Sequence, residues 1–264
     1  MIFVSFFEFL GPVVNALNYW GSKEHSRQRH YSRKLDPKNQ FFLMLVKLKL
    51  NLKVPDLAFR FGISTSSVSR YLTTWICFLY HHLKELDWSP SIEQVMGTLP
   101  HSFRKNFPST YAIIDGSEIF IQTPSDLCMQ SSTWSQYKHH NTAKFLVACT
   151  PNGAISYISP VFVRSISDIE LTKASGYLTT LQDKPGISIM ADRGFTIKEM
   201  LKELNIGLNL PPLWRGESSF LLKKYRKGGR LRPCVFMWRA IGRIKTFSIL
   251  KETIPISLAL VPLD

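Results

Sequence analysis

Tyr111-Ala112-Ile113-Ile114-Asp115-Gly116 and Ile187-Ser188-Ile189-Met190-Ala191-Asp192-Arg193-Gly194 decide how this chain is read. Each is a short apolar run stopped by an aspartate with a glycine close behind it, the pattern of a buried strand that ends in a turn. Between them lie Phe145–Cys149 and Ala154–Ile158, and the intervening Pro151-Asn152-Gly153 predicts that they form a β-hairpin. Residues 167–181 and 196–205 carry helical spacing. The order strand, hairpin, helix, strand, helix predicts an α/β domain with a mixed sheet.

If the first and last of these strands are parallel neighbours, Asp115 and Asp192 emerge at one edge of the sheet, where open α/β sheets place their sites. Two carboxylates held close repel each other unless a cation lies between them, and an all-oxygen donor set suits Mg²⁺ or Mn²⁺. Two such ions about 3.5–4 Å apart activate a water or a 3′-hydroxyl and stabilise the leaving oxygen in phosphodiester chemistry. Singly, an aspartate after a strand just as readily caps a helix or makes an Asx turn. On these residues alone both readings stay open.

Upstream, residues 54–78 read VPDLAFRFGISTSSVSRYLTTWICF. Ala58 lets two helices approach, Gly62 makes the turn, and Val68 anchors the second helix on the first. With Ser64 as N-cap and Thr65, Ser66, Ser67, Ser69 and Arg70 on the outer side, the spacing predicts a helix-turn-helix over about residues 36–82 that offers these side chains to DNA. A plain helical hairpin packing Leu57, Phe61, Val68 and Leu72 is the alternative; nine basic residues between Lys23 and Lys53 favour DNA. Residues 3–19 predict an amphipathic helix ending near Gly21, and Asp36-Pro37 is a helix start.

The 264 residues carry 33 Lys+Arg against 19 Asp+Glu, a net charge of +14. Residues 1–110 hold 14 basic and 7 acidic side chains, residues 111–200 hold 7 and 8, and residues 201–264 hold 12 and 4, so two basic ends flank a neutral middle. That distribution points to a polyanion such as DNA. At 45% hydrophobic and 20% charged residues the composition is globular and excludes wholesale disorder. The four cysteines form no C-x-x-C pair, which argues against a disulfide scaffold or a zinc ribbon. His81, His82 and Cys77 read as a helix end, since no second ligand pair has zinc spacing. The first twenty residues lack a basic n-region, so secretion is not expected; no membrane span and no nucleotide-binding P-loop is evident. Ser135, Tyr137, Lys138, His140 and Lys144 line either a DNA path or a solvated strand edge. Six basic residues, among them Lys223, Lys224, Arg226 and Lys227, lie within 223–232 and are expected to touch phosphates.

The stretches FRKNFPSTYAIIDGSEIFIQTPSDL, SSTWSQYKHHNTAKFLVACTPNGAISYISPVFV, SISDIELTKASGYL and MADRGF resemble the DDE superfamily endonucleases of Harbinger- and ISL2EU-like DNA transposons. LNYWGS and residues 35–78 resemble the helix-turn-helix that precedes that domain, while PPLWRG, RAIGRIKTFSILK and IPISLA continue the likeness downstream. The resemblance implies an RNase H-like fold in which two aspartates and a late glutamate hold two divalent metals. Asp115 matches the first acid and Asp192 the second; Asp168 matches a further acidic position of second rank, or is simply a favourable charge at a helix N-terminus.

One departure bears on chemistry. Trp238 stands at the expected glutamate position, before Arg239-Ala240-Ile241-Gly242-Arg243, and an indole has no oxygen to give a cation. Gly116-Ser117 and Arg164 also depart from the usual pattern. The expected organisation is a helical module over 1–100 and an RNase H-like endonuclease domain over 101–264 that reads as incomplete at its C-terminus. The implied function is a transposase-derived DNA-binding protein with a Mg²⁺- or Mn²⁺-dependent endonuclease site impaired by the missing acid. The alternative is a non-catalytic DNA-binding protein or a degraded transposon relic. DNA is the expected partner, a second copy or a helper DNA-binding protein a further one, and the nucleus, or else the cytoplasm, the expected location.

Overall fold

The computed structural model of the chain describes residues 2–19, 35–86, 88–163, 165–210 and 233–256. They fall into two units: the residues up to Leu86 together with Thr246–Glu252, and those from Trp88 to Lys245 together with the segment from Thr253.

The first unit is helical. Helix α1 (Ile2–Phe9) sets Phe3, Phe6 and Phe7 on the fully buried Phe41, with ring centroids 5.5, 5.6 and 5.8 Å away. The helix expected over 3–19 stops early. Gly11 adopts a left-handed φ of 72°, Pro12 has no amide to continue the ladder, and only a 3₁₀ turn (Pro12–Asn15) follows. Helix α2 (Pro37–Leu50) begins where Asp36-Pro37 predicts, although the Asp36 carboxylate takes the Asn39 amide rather than a backbone N–H. Gln40 on α2 is fully buried, and it is satisfied: its carbonyl accepts from Tyr19 at 2.9 Å and Trp75 at 3.2 Å, and its amide donates to the Leu35 carbonyl at 2.7 Å.

Helices α3 (Val54–Phe61) and α4 (Thr65–Lys84) meet at Gly62, which ends α3 in the left-handed region with φ 63°. Leu57, Ala58, Val68, Leu72 and Trp75 are buried between α2, α3 and α4 and form the centre of this unit. The helix-turn-helix spacing of Ala58, Gly62 and Val68 is therefore a packing pattern first: a small residue for close approach, a turn, and an anchor. His82 stacks on Phe78 with ring centroids 5.3 Å apart. Thr246–Glu252 joins α2 through Lys49 to Thr246 at 3.1 Å and Asn51 to Glu252 at 2.5 Å.

The second unit opens with two short helices, α5 (Ile92–Gly97) and α6 (His101–Asn106), and builds a mixed sheet from β1 (Thr110–Phe120), β2 (Trp134–Ser135), β3 (His140–Cys149), β4 (Ile155–Ile158), β5 (Ser188–Ala191) and β6 (Gly207–Asn209). The order is β2-β3-β1-β5-β6, with β4 pairing β3. β1 runs antiparallel to β3 and parallel to β5, and β5 parallel to β6. The Pro-Asn-Gly hairpin forms between β3 and β4, with Gly153 at φ 89°. Helices α7 (Leu127–Thr133), α8 (Asp168–Ala174), α9 (Lys198–Glu203) and α10 (Pro233–Ile244) complete the unit. Ala112, Leu146, Val147, Ala148, Ile189 and Leu171 are fully buried about the sheet. This mixed α/β sheet behind a helical module fits an RNase H-like domain.

Three local expectations are corrected. β1 does not end at Asp115; it continues five residues to Phe120 because Gly116–Phe120 pair with β3 from Leu146 back to Thr142. The helix expected over 167–181 is α8 followed by a 3₁₀ turn (Tyr177–Leu181), broken by Gly176 at φ 76°. That expected over 196–205 is the shorter α9. Cys77, Cys128 and Cys149 are free, and burial pushes the Cys149 thiol up to about 12, out of nucleophilic range. Among the described residues no helix is long and apolar enough to cross a membrane.

Candidate functional site

The aspartates meet because of strand register. Ile114 of β1 pairs with Ala191 of β5 in parallel, so Asp115 and Asp192 are the next residues along two adjacent strands. β5 stops there while β1 runs on against β3 alone, which leaves Asp115 at the opening where the parallel half of the sheet ends. Asp192 is exposed, and its carboxylate accepts the Arg193 N–H at 2.7 Å.

Asp168 joins them from α8. Ser167 caps that helix in a reciprocal box with Glu170: the Ser167 hydroxyl accepts the Glu170 N–H and the Glu170 carboxylate accepts the Ser167 N–H, both at 3.2 Å. The box fixes Asp168 as the first helical residue, and its carboxylate lies between two glycines. A Cβ at Gly116 would stand 3.0 Å from Asp168 Oδ1, and one at Gly194 would stand 2.6 Å from Asp168 Oδ2. Neither glycine has a positive φ, so both are small to make room for this carboxylate and not to shape the chain. The glycines that read as turn signals after Asp115 and Asp192 are thus the walls of a carboxylate slot.

Lys144 lies in the same place. Its ammonium is 2.8 Å from Asp168 Oδ1 and donates to the Ile166 carbonyl at 3.0 Å, with the Lys144 side chain 18% exposed. The polar cluster expected to line a DNA path or a strand edge therefore divides: Lys144 turns to the acids and Ser135 is buried, while Tyr137 and Lys138 are exposed in the turn after β2. Lys138 holds its ammonium 4.6 Å over the Tyr137 ring.

These groups lie within electrostatic reach of Asp115. Burial pushes the Asp115 carboxyl up to about 6; the Gly116 N–H draws it down, Asp168 and Asp192 push it up as like charges, and Lys144 draws it down. Opposite Lys144 in the β1–β3 ladder stands Glu118, whose buried Oε2 has no hydrogen-bond partner among the described residues. Sequence reading passed over Glu118, since β1 was expected to have ended; the alternation of Ile119 and Ile121 beyond Asp115 was the available signal. Lys245, at the end of α10, feels Glu118 and Asp115 as attractive charges, although burial and then Lys138 hold its ammonium below the ordinary lysine value. Among the described residues, no three His, Cys, Asp or Glu side chains are gathered closely enough to hold an ion.

Helix α10 packs on β1 and β3 through its buried Met237 and Ala240, with Phe236 edge-on to Phe103 of α6 at 5.7 Å. Trp238 is 62% exposed beside that buried stripe. The segment with Lys223, Lys224, Arg226 and Lys227 lies outside the described residues, as does Arg164.

In the helix-turn-helix, Ser64, Thr65, Ser66, Ser69 and Arg70 are exposed and Ser67 is half-buried. Several hydroxyls have local tasks. Ser64 accepts the Ser67 N–H at 3.2 Å as N-cap and contacts the Ser67 hydroxyl at 2.9 Å, and Ser69 donates to the Thr65 carbonyl at 3.2 Å. Arg70 is the charged side chain among these six.

Residues 114–262 match the family described as DDE superfamily endonuclease, and residues 33–85 match the helix-turn-helix of DDE superfamily endonuclease. The first match covers more than half the chain, and the chain belongs to the DDE superfamily endonucleases, with the helix-turn-helix of that superfamily preceding this domain in the sequence. No curated protein matches it.

Proposed function

We propose that this is a transposase-derived DNA-binding protein, of the Harbinger- and ISL2EU-like kind, whose α/β domain holds a divalent cation weakly and cleaves phosphodiester bonds poorly. The observation that carries the reading is the register of β1 and β5, which brings Asp115 beside Asp192 with Asp168 lodged between Gly116 and Gly194. The donor chemistry suits the group at two positions: Asp115, which is desolvated, and Asp192 offer the hard oxygen ligands that Mg²⁺ or Mn²⁺ takes, while among the described residues no third such side chain is gathered with them closely enough to complete a set. When bound, such an ion would lower the pKa of a coordinated water or hydroxyl and offset charge on the leaving oxygen. This chain's own part is to supply Asp115 and Asp192 as ligands with Asp168 behind them, and to hold the Lys245 ammonium within electrostatic reach of Asp115.

Impairment follows from Trp238, because the position that would complete the acid set presents an exposed indole. Calorimetric titration with Mn²⁺ is expected to show one weak site in the purified chain and none in Asp192→Ala. Binding that survives Asp192→Ala unchanged overturns the assignment.

DNA recognition is assigned to Thr65, Ser66, Ser69 and Arg70 on the outer face of α4, with the 223–232 basic run as a phosphate contact. Arg70→Ala is expected to lower affinity for duplex DNA several-fold and to reduce the slope of log affinity against log salt by about one. An unchanged slope removes Arg70 from the interface. A non-catalytic DNA-binding role is the second reading, favoured by the same Trp238. Either role puts the protein's work on DNA, which supports the nucleus as its proposed location, with the cytoplasm as the alternative.

A further inference from the structure

The metal reading leaves Trp238 without a task of its own. A single exposed aromatic is ordinary on a protein surface, so its neighbours on α10 decide what it is for. Trp238 is 62% exposed, and Gly242 and Lys245 follow it at four and seven residues, the spacing that keeps them on its own side of the helix. Lys245 stays in that register because its N–H still bonds the Ile241 carbonyl at 2.9 Å. Met237 and Ala240, on the other side, are buried on the sheet.

Gly242 lies inside the helix without a positive φ, and a Cβ built there meets nothing within 4 Å. Neither backbone conformation nor packing asks for a glycine, and glycine weakens a helix interior. What it supplies is bare backbone between an indole and an ammonium, where a ligand can lie close. The surroundings set the charge of that ligand: from Ser218 to Lys251 the chain carries ten Lys and Arg and no Asp or Glu. Toward the Lys245 end lies the turn after β2, pinned by the His139 N–H on the Ser135 carbonyl at 2.8 Å. Its Lys138 acts on Lys245 as a like charge and holds its own ammonium 4.6 Å over the ring of Tyr137, which is 81% exposed. Glu118 and Asp115 are the acids that Lys245 feels. Two ammonium groups in each other's field repel, and a phosphate offsets both. Open aromatic rings with cations between them are the make-up of a single-strand track, rings for bases and cations for phosphates.

Resting on the reading that the chain works on DNA, and needing no metal, we propose that the α10 stripe of Trp238, Gly242 and Lys245, continued by Lys138 and Tyr137, is a binding site for single-stranded DNA. An unpaired base stacks on the Trp238 indole, its backbone lies against Gly242, and Lys245 and Lys138 hold the phosphates that follow. Tyr137 takes a further base. The indole that has no oxygen for a cation has a broad π face for a base, so the position of the missing acid is a stacking platform.

Anisotropy of a fluorescein-labelled oligothymidylate, titrated with the full chain in a chelator beside a labelled duplex of the same length, tests this. Trp238→Leu, apolar but unable to stack, is expected to lower oligothymidylate affinity about tenfold, the scale of one base on one aromatic ring, while Trp238→Phe keeps most of it. Neither is expected to change affinity for the duplex, which the helix-turn-helix carries. Gly242→Leu, which fills open space, is expected to lower oligothymidylate affinity several-fold with Tm unchanged. Lys245→Gln is expected to reduce the slope of log affinity against log salt by about 0.7. Unchanged oligothymidylate affinity in Trp238→Leu overturns the proposal, as does an equal loss on the duplex or tighter binding of oligouridylate. So does a Trp238→Leu chain that sediments as a smaller assembly with its affinity kept, since the stripe is then an interface between copies. If the unaltered chain binds the duplex and not oligothymidylate, this site is wrong and the DNA reading stands; if it binds neither, the DNA reading itself fails.

Discussion

Trp238→Glu is expected to raise Mn²⁺-dependent nicking of plasmid DNA by about 100-fold, the scale on which one well-placed charged or polar group acts on a transition state. The structure makes this substitution inexpensive. Trp238 is 62% exposed on α10, so its removal opens no cavity, and glutamate is at least as good a helix former as tryptophan. Its neighbours on the helix, Met237 and Ala240, stay buried and keep α10 on the sheet, with Lys245 at the helix end within electrostatic reach of Asp115. The gain should appear in the cleavage rate and in Mn²⁺ affinity together, and should be abolished when Asp192→Ala is added. No gain in a well-folded Trp238→Glu chain means that the absent acid is not the sole defect, and the non-catalytic reading becomes the better one.

Asp115→Asn is expected to make the metal-free protein more stable at neutral pH while ending any metal-dependent nicking. The carboxyl is raised from 3.8 to about 6 in the folded chain, first by burial. The folded state therefore holds that proton more tightly than the unfolded one. The stabilising contribution is fully present below about pH 4 and is lost as pH rises through about 6. At pH 7.5 in a chelator, the ionised Asp115 costs on the order of 2 kcal/mol, and asparagine removes that cost, raising Tm by about 4–8 °C. The advantage should shrink steadily from pH 7 to pH 4. A lower Tm for Asp115→Asn at pH 7.5 would show that the carboxylate is structurally satisfied and not held against its own desolvation. A carboxylate held against its own desolvation is what the cation site proposed above calls for.

The legible parts of this chain were those set by local rules. Ala58, Gly62, Ser64 and Val68 specify a helix-turn-helix because close approach, a left-handed turn, a cap and an anchor each need a particular residue type at a fixed spacing. Pro151-Asn152-Gly153 specifies its hairpin in the same way. Element ends were less legible. β1 runs past Asp115 because residues 116–120 find partners in β3, and pairing across strands leaves no mark at the aspartate itself. The amphipathic pattern of residues 3–19 continued through Gly11-Pro12, where backbone chemistry stopped the helix although the side-chain period did not.

The sequence by itself pointed to two acids and, through the family resemblance, to a position where a third was expected. Asp115 and Asp192 were legible as acids following short apolar runs, and Trp238 was legible as an indole at an expected acid position only through the resemblance to the DDE superfamily endonucleases. Tertiary structure decided what surrounds them. Only the sheet register sets Asp115 beside Asp192, only α8 brings Asp168 between Gly116 and Gly194, and only the β1–β3 ladder sets Lys144 opposite Glu118 with its ammonium on Asp168. These are contacts between residues tens of positions apart. Their energies depend on distance and on exclusion of water, and neither is fixed until the strands have paired.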